Sequence, residues 1–163
     1  GLNMSQLGQF MNRTFAGRLN PEKIAPIRER WKGKIILKGC ATVEDADMAV
    51  ALGIDGLLVS NHGGRQIDAG QSAIKSLGPV VDKYKGKIKL MMDSGIRTGP
   101  DIARTLAAGA DFTFLGRSFL YAVAALGNEG ADHMMGMLKT QLYQVMDQVC
   151  CKRVEDLPKH LVK

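Results

Sequence analysis

The sequence has few cysteines, few aromatic residues and no long apolar run. Its three cysteines are Cys40 and the adjacent pair Cys150 and Cys151, which match neither a disulfide framework nor the spacing of a zinc site. No apolar run reaches the roughly 18 residues that a membrane span needs, and no signal-peptide pattern opens the sequence. We therefore expect a reducing, cytoplasmic compartment, no metal site and no transmembrane segment.

Basic charge is concentrated near the N-terminus. The formal net charge is +6 at pH 7, and the first 34 residues carry seven lysines and arginines against two acidic residues. Few aromatic residues are interleaved with these charges, so we expect no nucleic-acid partner. We interpret the segment as the solvated face of a helix. Weak contact with the anionic inner face of a membrane, and hence a peripheral location there, is the alternative.

Short apolar runs alternate with helical patterns along the rest of the chain. Apolar runs of strand length occupy residues 35–37, 56–59, 88–92 and 112–115. Apolar residues at helical spacing follow them, within residues 42–53, 71–84, 98–109 and 130–149. Because parallel neighbours need a crossover connection, this alternation predicts an α/β fold with a parallel sheet.

A polar or glycine-containing cluster follows each apolar run. In (β/α) barrels of the TIM type, active sites lie at the carboxyl ends of the strands. A complete barrel takes about 250 residues, whereas this chain has 163. We therefore predict only half of a TIM-type barrel. We predict the second half, strands five to eight, because the clusters after the third and fourth runs resemble the phosphate-binding loops that follow strands seven and eight. Residues 1–34 are predicted to form a helical lead-in, and residues 35–163 the half-barrel with a C-terminal helix.

The cluster after the second run combines a titratable base with a fixed cation. His62 and Arg65 flank two glycines. Histidine exchanges a proton near neutral pH, and arginine binds a carboxylate through two parallel hydrogen bonds. The pair fits the removal of a proton from a 2-hydroxy acid that is held by its carboxylate. A loop histidine beside a surface arginine is the alternative for this pair taken alone.

The clusters after the third and fourth runs place an arginine and backbone amides at strand ends. Arg97 follows the third run and Arg117 the fourth, and the first of these two clusters leads into the helix pattern that begins at residue 98. Free amide donors at a helix N-terminus bind anions, and the corresponding loops of TIM barrels often hold phosphate. Lys38, after the first run, would stabilise negative charge on a cofactor ring; an ordinary surface lysine is the alternative.

Taken together and in this order, the clusters resemble those of the FMN-dependent L-2-hydroxy acid oxidases and dehydrogenases. This family includes glycolate oxidase, lactate oxidase and L-lactate dehydrogenase. The match covers residues 31–149 and rests on four runs, which are Leu37 to Gly39, Val59 to Gln66, Asp93 to Gly99 and Leu115 to Arg117.

The resemblance implies a role for each residue of these runs. His62 resembles the general base, and Arg65 resembles the clamp on the substrate carboxylate. The remaining residues resemble contacts to FMN. Lys38 would lie at the pyrimidine edge, Ser60 against the flavin and Asp93 at the ribityl chain, with Ser94 in the same cofactor loop, while Gly95, Arg97, Gly116 and Arg117 would lie at the phosphate.

The resemblance also implies which parts are outside this chain. In the family, the first half of the barrel supplies substrate-binding tyrosines and the carboxylate that orients the histidine, and residues 1–34 contain neither. We expect the intact protein to oxidise a small L-2-hydroxy acid, with lactate favoured, to the 2-oxo acid. We expect the open half-barrel to self-associate or to pair with the missing half. The alternatives are a non-catalytic half-barrel that binds FMN or another phosphorylated ligand, and a phosphate-binding barrel of another pathway.

Overall fold

The computed structural model describes residues 3–14 and 19–162 and divides the chain into two compact units, Gly1–Lys32 and Gly33–Lys163. The first unit contains helices α1 (Met4–Thr14) and α2 (Pro21–Arg30). Asn20 caps α2 by accepting a hydrogen bond from the backbone N–H of Lys23 at 3.1 Å, and Pro21 occupies the first turn, where no donor is needed. The sequence predicts residues 1–34 as a helical lead-in without element bounds in residues 1–20, and α1 supplies those bounds.

The second unit is built on a four-stranded parallel sheet. The strands are β1 (Ile36–Cys40), β2 (Gly56–Val59), β3 (Lys89–Met92) and β4 (Phe112–Thr113), and they lie in the order β1-β2-β3-β4. Every neighbouring pair is parallel. The predicted parallel α/β arrangement is therefore confirmed. The helices of this unit are α3 (Val43–Ala51), α4 (Ala73–Tyr84), α5 (Gly99–Ala107), α6 (Arg117–Leu126) and α7 (Gly130–Gln148).

The two faces of the sheet differ in exposure because successive side chains of a strand point to opposite faces. Leu57, Val59 and Leu90 are completely buried. The opposite face, called here the open face, carries Ile36, Leu58, Met91 and Phe112. Leu58 and Met91 on the inner strands are buried, whereas Ile36 and Phe112 on the two outer strands remain 51% and 57% exposed, so apolar surface is accessible at the borders of this face.

Strand β1 extends further than the apolar run predicts. The run ends at Leu37, whereas the strand continues to Cys40, with an irregular register between Lys38 and Cys40. Gly39 lies in this irregularity with φ of 96°, a conformation that residues with a Cβ rarely adopt. Lys38 therefore lies within the strand, and its side chain direction is fixed by strand pairing.

Helix α5 docks closely on α7 at its first residue. The Gly99 N–H donates to Oε1 of Gln141 at 2.9 Å, and a Cβ at Gly99 would lie 2.4 Å from the backbone nitrogen of Leu142. Thr98, directly before the helix, and Asp101, in its first turn, form a capping box that fixes the start of α5. A buried apolar cluster continues this contact and contains Ala103, Met146, Cys151 and Leu157.

We predict that Gly99→Ala destabilises the protein by about 1–3 kcal/mol, because the added methyl group meets backbone that cannot move aside without separating the two helices. Gly136→Ala is the matched control, since Gly136 lies in α7 with no neighbour within 4 Å of the added methyl group. This control should stabilise the helix by up to about 1 kcal/mol. Urea unfolding measures both, and equal stabilities for the two variants would contradict the close contact at Gly99.

Candidate active site

Three polar side chains meet at the carboxyl ends of β1, β2 and β3. Lys38 Nζ donates to Ser60 Oγ at 2.8 Å and forms an ion pair with the carboxylate of Asp93. Lys38 is paired with Leu58 in the β1–β2 register, and Leu58 with Met91 in the β2–β3 register. Ser60 follows Leu58 by two residues and Asp93 follows Met91 by two residues, so both side chains project from the same face as Lys38. The parallel register therefore assembles this group.

The environment of Asp93 keeps its carboxyl group ionised. Partial burial raises its pKa, but hydrogen bonds from Lys38, Ser60 and Ser94 and the charge of Lys38 outweigh burial, so the pKa lies below its usual value. Lys38 remains half-exposed. The ammonium group is thus oriented by Asp93 and still accessible from the open face.

The loop after β2 carries His62 and Arg65, both with exposed side chains. Residues His62, Gly63 and Gly64 form one turn of 3₁₀ helix in which all three have positive φ, at 55°, 69° and 72°. Nδ1 of His62 lies 3.4 Å from Nε2 of Gln66. Within the described residues, no carboxylate forms a hydrogen bond with this imidazole, so its orientation comes from the loop backbone and from Gln66.

Arg97, from the loop after β3, and Arg117, at the start of α6, form a positively charged region that is called here the cationic corner. Helix α6 begins at Arg117, and its N-cap residue, Gly116, provides no side-chain hydrogen bond to the first turn. Backbone donors therefore remain at a helix end that favours negative charge. Arg117 Nη2 donates to the carbonyl of Gly63 at 2.9 Å, and the Arg97 guanidinium lies 5.7 Å from the centre of the Tyr121 ring.

A pocket of about 230 Å³ joins the loops after β2, β3 and β4. Eight of the ten residues singled out from the sequence line it, and the other two, Lys38 and Ser60, are joined to it through their contacts with Asp93 and Ser94. The eight are His62, Arg65, Asp93, Ser94, Gly95, Arg97, Gly116 and Arg117.

Several apolar residues that were not predicted as site residues also line this pocket. Phe114, Leu115 and Leu120 line it together with the charged residues. Phe114 and Leu115 belong to the fourth apolar run, so their position at the strand end was the available signal. Leu120 lies one turn into α6, where only the tertiary structure brings it to the pocket. In the described part of the chain, no group of three or more His, Cys, Asp or Glu side chains is arranged to hold a metal ion.

Comparison with known proteins identifies the family. The family model described as FMN-dependent dehydrogenase matches residues 1–163. An L-lactate dehydrogenase of Haemophilus influenzae is 46% identical over 83% of this chain and 36% of its own length. An L-lactate dehydrogenase of Alcaligenes faecalis is 38% identical over 94% of this chain and 40% of its own length. The chain therefore spans about two fifths of these relatives.

Solved structures agree with this assignment. A structure described as the monotopic membrane protein (S)-mandelate dehydrogenase matches with a TM-score of 0.89 and 35% identity, over 98% of this chain and 43% of that protein. A mandelate oxidase bound to benzoyl-formic acid matches with a TM-score of 0.82 and 33% identity, over 86% and 42% of the two chains. The chain belongs to the FMN-dependent dehydrogenase family, and the predicted resemblance to FMN-dependent 2-hydroxy acid oxidases and dehydrogenases is confirmed.

FMN is the cofactor of this family, and the polar groups of the pocket fit its chemistry. Two arginines and the amides of a helix N-terminus suit a phosphate. The ionised Asp93 suits the hydroxyl groups of a ribityl chain, and the half-exposed Lys38 suits a ring that gains negative charge on reduction. The donor set thus runs from a phosphate-binding end to a ring-binding end.

Within the described residues, no helix is both long and apolar enough to cross a membrane.

Proposed function

We propose that the protein to which this chain belongs oxidises a small L-2-hydroxy acid, L-lactate in the first place, to the 2-oxo acid with FMN. The observation that carries this proposal is a single pocket in which His62 and Arg65 face the cationic corner of Arg97 and Arg117. The two L-lactate dehydrogenases at 46% and 38% identity support lactate as the substrate.

In the proposed reaction, Arg65 binds the substrate carboxylate and His62 accepts a proton from the substrate. Arg65 is exposed and lies three residues after His62 in the same loop. Both side chains can therefore contact one small ligand. Bound FMN supplies the acceptor for the electron pair that leaves the substrate α-carbon. His62 keeps the proton at its imidazole until solvent removes it.

The remaining site residues are proposed to hold the cofactor. Lys38 would contact the pyrimidine edge, with its ammonium group oriented by Asp93, and Ser60 would lie against the flavin. Asp93 would accept hydrogen bonds from the ribityl chain. The phosphate would lie among the amides and guanidinium groups of Gly95, Arg97, Gly116 and Arg117.

A non-catalytic half-barrel that binds FMN or another phosphorylated ligand is the second candidate. The comparisons do not favour it, and it is retained because the neighbour of the His62 imidazole among the described residues is Gln66 and not a carboxylate. Removing the orienting carboxylate from a catalytic triad lowers the rate by about 10⁴-fold. We therefore expect this chain alone to react more slowly than a protein that supplies the missing carboxylate.

The open face of the sheet is proposed to bind a second copy when the chain is alone. Within the described residues, β1 and β4 are the outer strands of the sheet, and each has one unpaired edge. A half-turn about an axis along the strands brings β1 of one copy beside β4 of the other with both strands parallel, and it does so at two identical junctions. Eight strands then enclose the apolar residues of both open faces.

Helix α1 is proposed to contact an anionic membrane surface. Met4, Leu7 and Met11 lie on one helical face with Phe10 beside it, and all four are exposed. Helix α1 carries the basic residue Arg13, and the first acidic residue of the chain is Glu22, so an anionic interface would attract α1 and not repel it. The similar (S)-mandelate dehydrogenase is described as a monotopic membrane protein, which supports a peripheral location.

The first prediction of this proposal concerns flavin reduction. The purified protein with FMN should lose its visible flavin absorbance when L-lactate is added without oxygen. His62→Asn should slow this reduction by at least about 100-fold, because the base is lost, while FMN affinity stays within about twofold. Asparagine tolerates the positive φ of residue 62. The control His133→Asn changes an exposed histidine on α7 and should have no effect. Flavin colour without bleaching would support the non-catalytic candidate.

The second prediction concerns self-association. At concentrations of about 100 μM, the chain alone should elute with the mass of a dimer in light-scattering chromatography. Ile36→Glu should shift it toward monomer, because it buries a charge between the two open faces. Met135→Glu, at an equally exposed position on α7, should not. A monomeric wild-type chain would contradict the proposed pairing.

The third prediction concerns the membrane surface. The protein should sediment with vesicles of phosphatidylglycerol more strongly than with vesicles of phosphatidylcholine. The double variant M4Q/F10Q should bind at least about tenfold more weakly, because two apolar side chains no longer enter the interface. The matched double variant M135Q/M137Q changes exposed methionines of α7 and should bind as wild type. Equal loss in both variants would contradict a specific role for α1.

A further inference from the structure

The backbone of the His62 loop is strained and has to be held in place by its surroundings. His62 has φ of 55° and is followed by two glycines with φ near 70°. A residue with a Cβ in this conformation costs about 1–2 kcal/mol, and such residues persist only where neighbouring contacts hold them. The contacts of this loop therefore decide where the imidazole lies.

Four hydrogen bonds with side chains hold the backbone of His62 and Gly63. The N–H of His62 donates to Ser60 Oγ at 3.0 Å, and the N–H of Gly63 donates to Asn61 Oδ1 at 3.0 Å. Asn61 belongs to the loop itself and would move with it, whereas Ser60 at the end of β2 is held to β1 through Lys38. The N–H of Gly63 also donates to Ser94 Oγ at 3.0 Å, and Arg117 donates to the carbonyl of Gly63. Ser94 and Arg117 are thus the ties to the next strands.

Ser94 is itself strained, and its hydroxyl group is committed to other protein groups. Its φ is 74°, in the region where glycine is the favoured residue. The hydroxyl donates to Asp93 Oδ1 at 2.7 Å and accepts from Gly63. A hydroxyl group has one hydrogen to donate, and Ser94 donates it to Asp93. A lone pair of the Ser94 oxygen therefore points toward the N–H of Gly63, and the Ser94 side chain has no hydrogen left to donate to a ligand.

We propose that Ser94 is a positioning residue for His62, through a relay in which Asp93 orients the Ser94 hydroxyl and that hydroxyl fixes the N–H of Gly63. The proposal rests on the proposed role of His62 as the base. It changes the expectation that the Ser94 side chain binds the cofactor. In this arrangement, the Ser94 hydroxyl group connects the His62 loop to the end of β3, which compensates for the strained backbone at Ser94. Asp93, at the same strand end, also contacts Lys38.

Ser94→Gly separates positioning from stability, because glycine relieves the strain at residue 94 while the hydroxyl is lost. We expect unchanged or increased stability to urea, and about fivefold or more faster hydrogen exchange at the Gly63 amide, as expected for one lost hydrogen bond. Ser94→Ala should exchange equally fast but be less stable, because it keeps the strained backbone. Ser118→Ala is the control. It removes a hydroxyl that donates to the Arg97 carbonyl in a neighbouring loop and should leave Gly63 exchange unchanged.

Flavin reduction by L-lactate provides the second readout. In Ser94→Gly, we expect kcat to fall by about 10–100-fold, because small displacements of a catalytic group have effects of this size. The FMN dissociation constant should stay within about twofold, since the hydroxyl has no donor for the cofactor. A purely structural role predicts that kcat follows stability and does not fall in this variant.

The two readouts keep this proposal separate from the proposed function. If no variant and no wild-type protein reduces FMN, the proposed function fails, and hydrogen exchange at Gly63 still tests the tie from Ser94. Unchanged exchange in Ser94→Gly would overturn the relay. A loss of FMN affinity that accounts for the whole loss of rate would overturn it as well, because Ser94 would then be a cofactor contact.

Discussion

The ion pair between Lys38 and Asp93 joins the first and third strands of the sheet across the end of the second. It exists because all three strands run in the same direction and in a register that turns Lys38, Ser60 and Asp93 to one face. An antiparallel neighbour would carry its residues away from this edge. The pocket, the position of the His62 loop and the proposed binding of the flavin ring all follow from this alignment.

Conformations that are individually unfavourable are concentrated around this edge. His62 and Ser94 are two of the three residues other than glycine with positive φ in the described part of the chain, and Gly63 and Gly64 lie beside the first. Hydrogen bonds from the ends of three strands compensate for this strain, and Arg117 contributes one of them while facing the same pocket. Arg117, which is proposed to bind the phosphate, is thus hydrogen-bonded to the loop that carries His62, the proposed base.

The rest of the second unit provides a rigid support for these loops. Leu57, Val59 and Leu90 on the sheet and Leu77 and Val80 on α4 are completely buried, and α5 is fixed against α7 through Gly99. The open face lacks such a cover at its borders, where Ile36 and Phe112 are exposed. The chain covers 36% and 40% of the length of two curated relatives, and a parallel barrel needs strands on both sides of its core.

The order of strands, helices and reactive loops was predictable from the sequence by itself. Apolar runs of strand length, helical periodicity and glycines near helix ends are local signals, and the parallel fold follows from their alternation. The start of α5 was predicted for the same reason, since its capping residues lie within four positions of one another. Helix α6, the bounds of α1 within the predicted helical lead-in and the extension of β1 beyond Leu37 were not predicted. The extension of β1 runs through Lys38 and Gly39, which do not continue the apolar run.

The relations between loops were decided only by the tertiary structure. The sequence marked Lys38, His62, Asp93, Ser94 and Arg117 as residues of interest, but not that the Ser94 hydroxyl holds Gly63 or that Arg117 reaches the same residue. Such contacts join positions 31 and 54 residues apart and depend on strand register and on backbone angles that no short pattern specifies. The sequence determined which chemical groups the site contains, and the packing of the strands determined which of these groups touch.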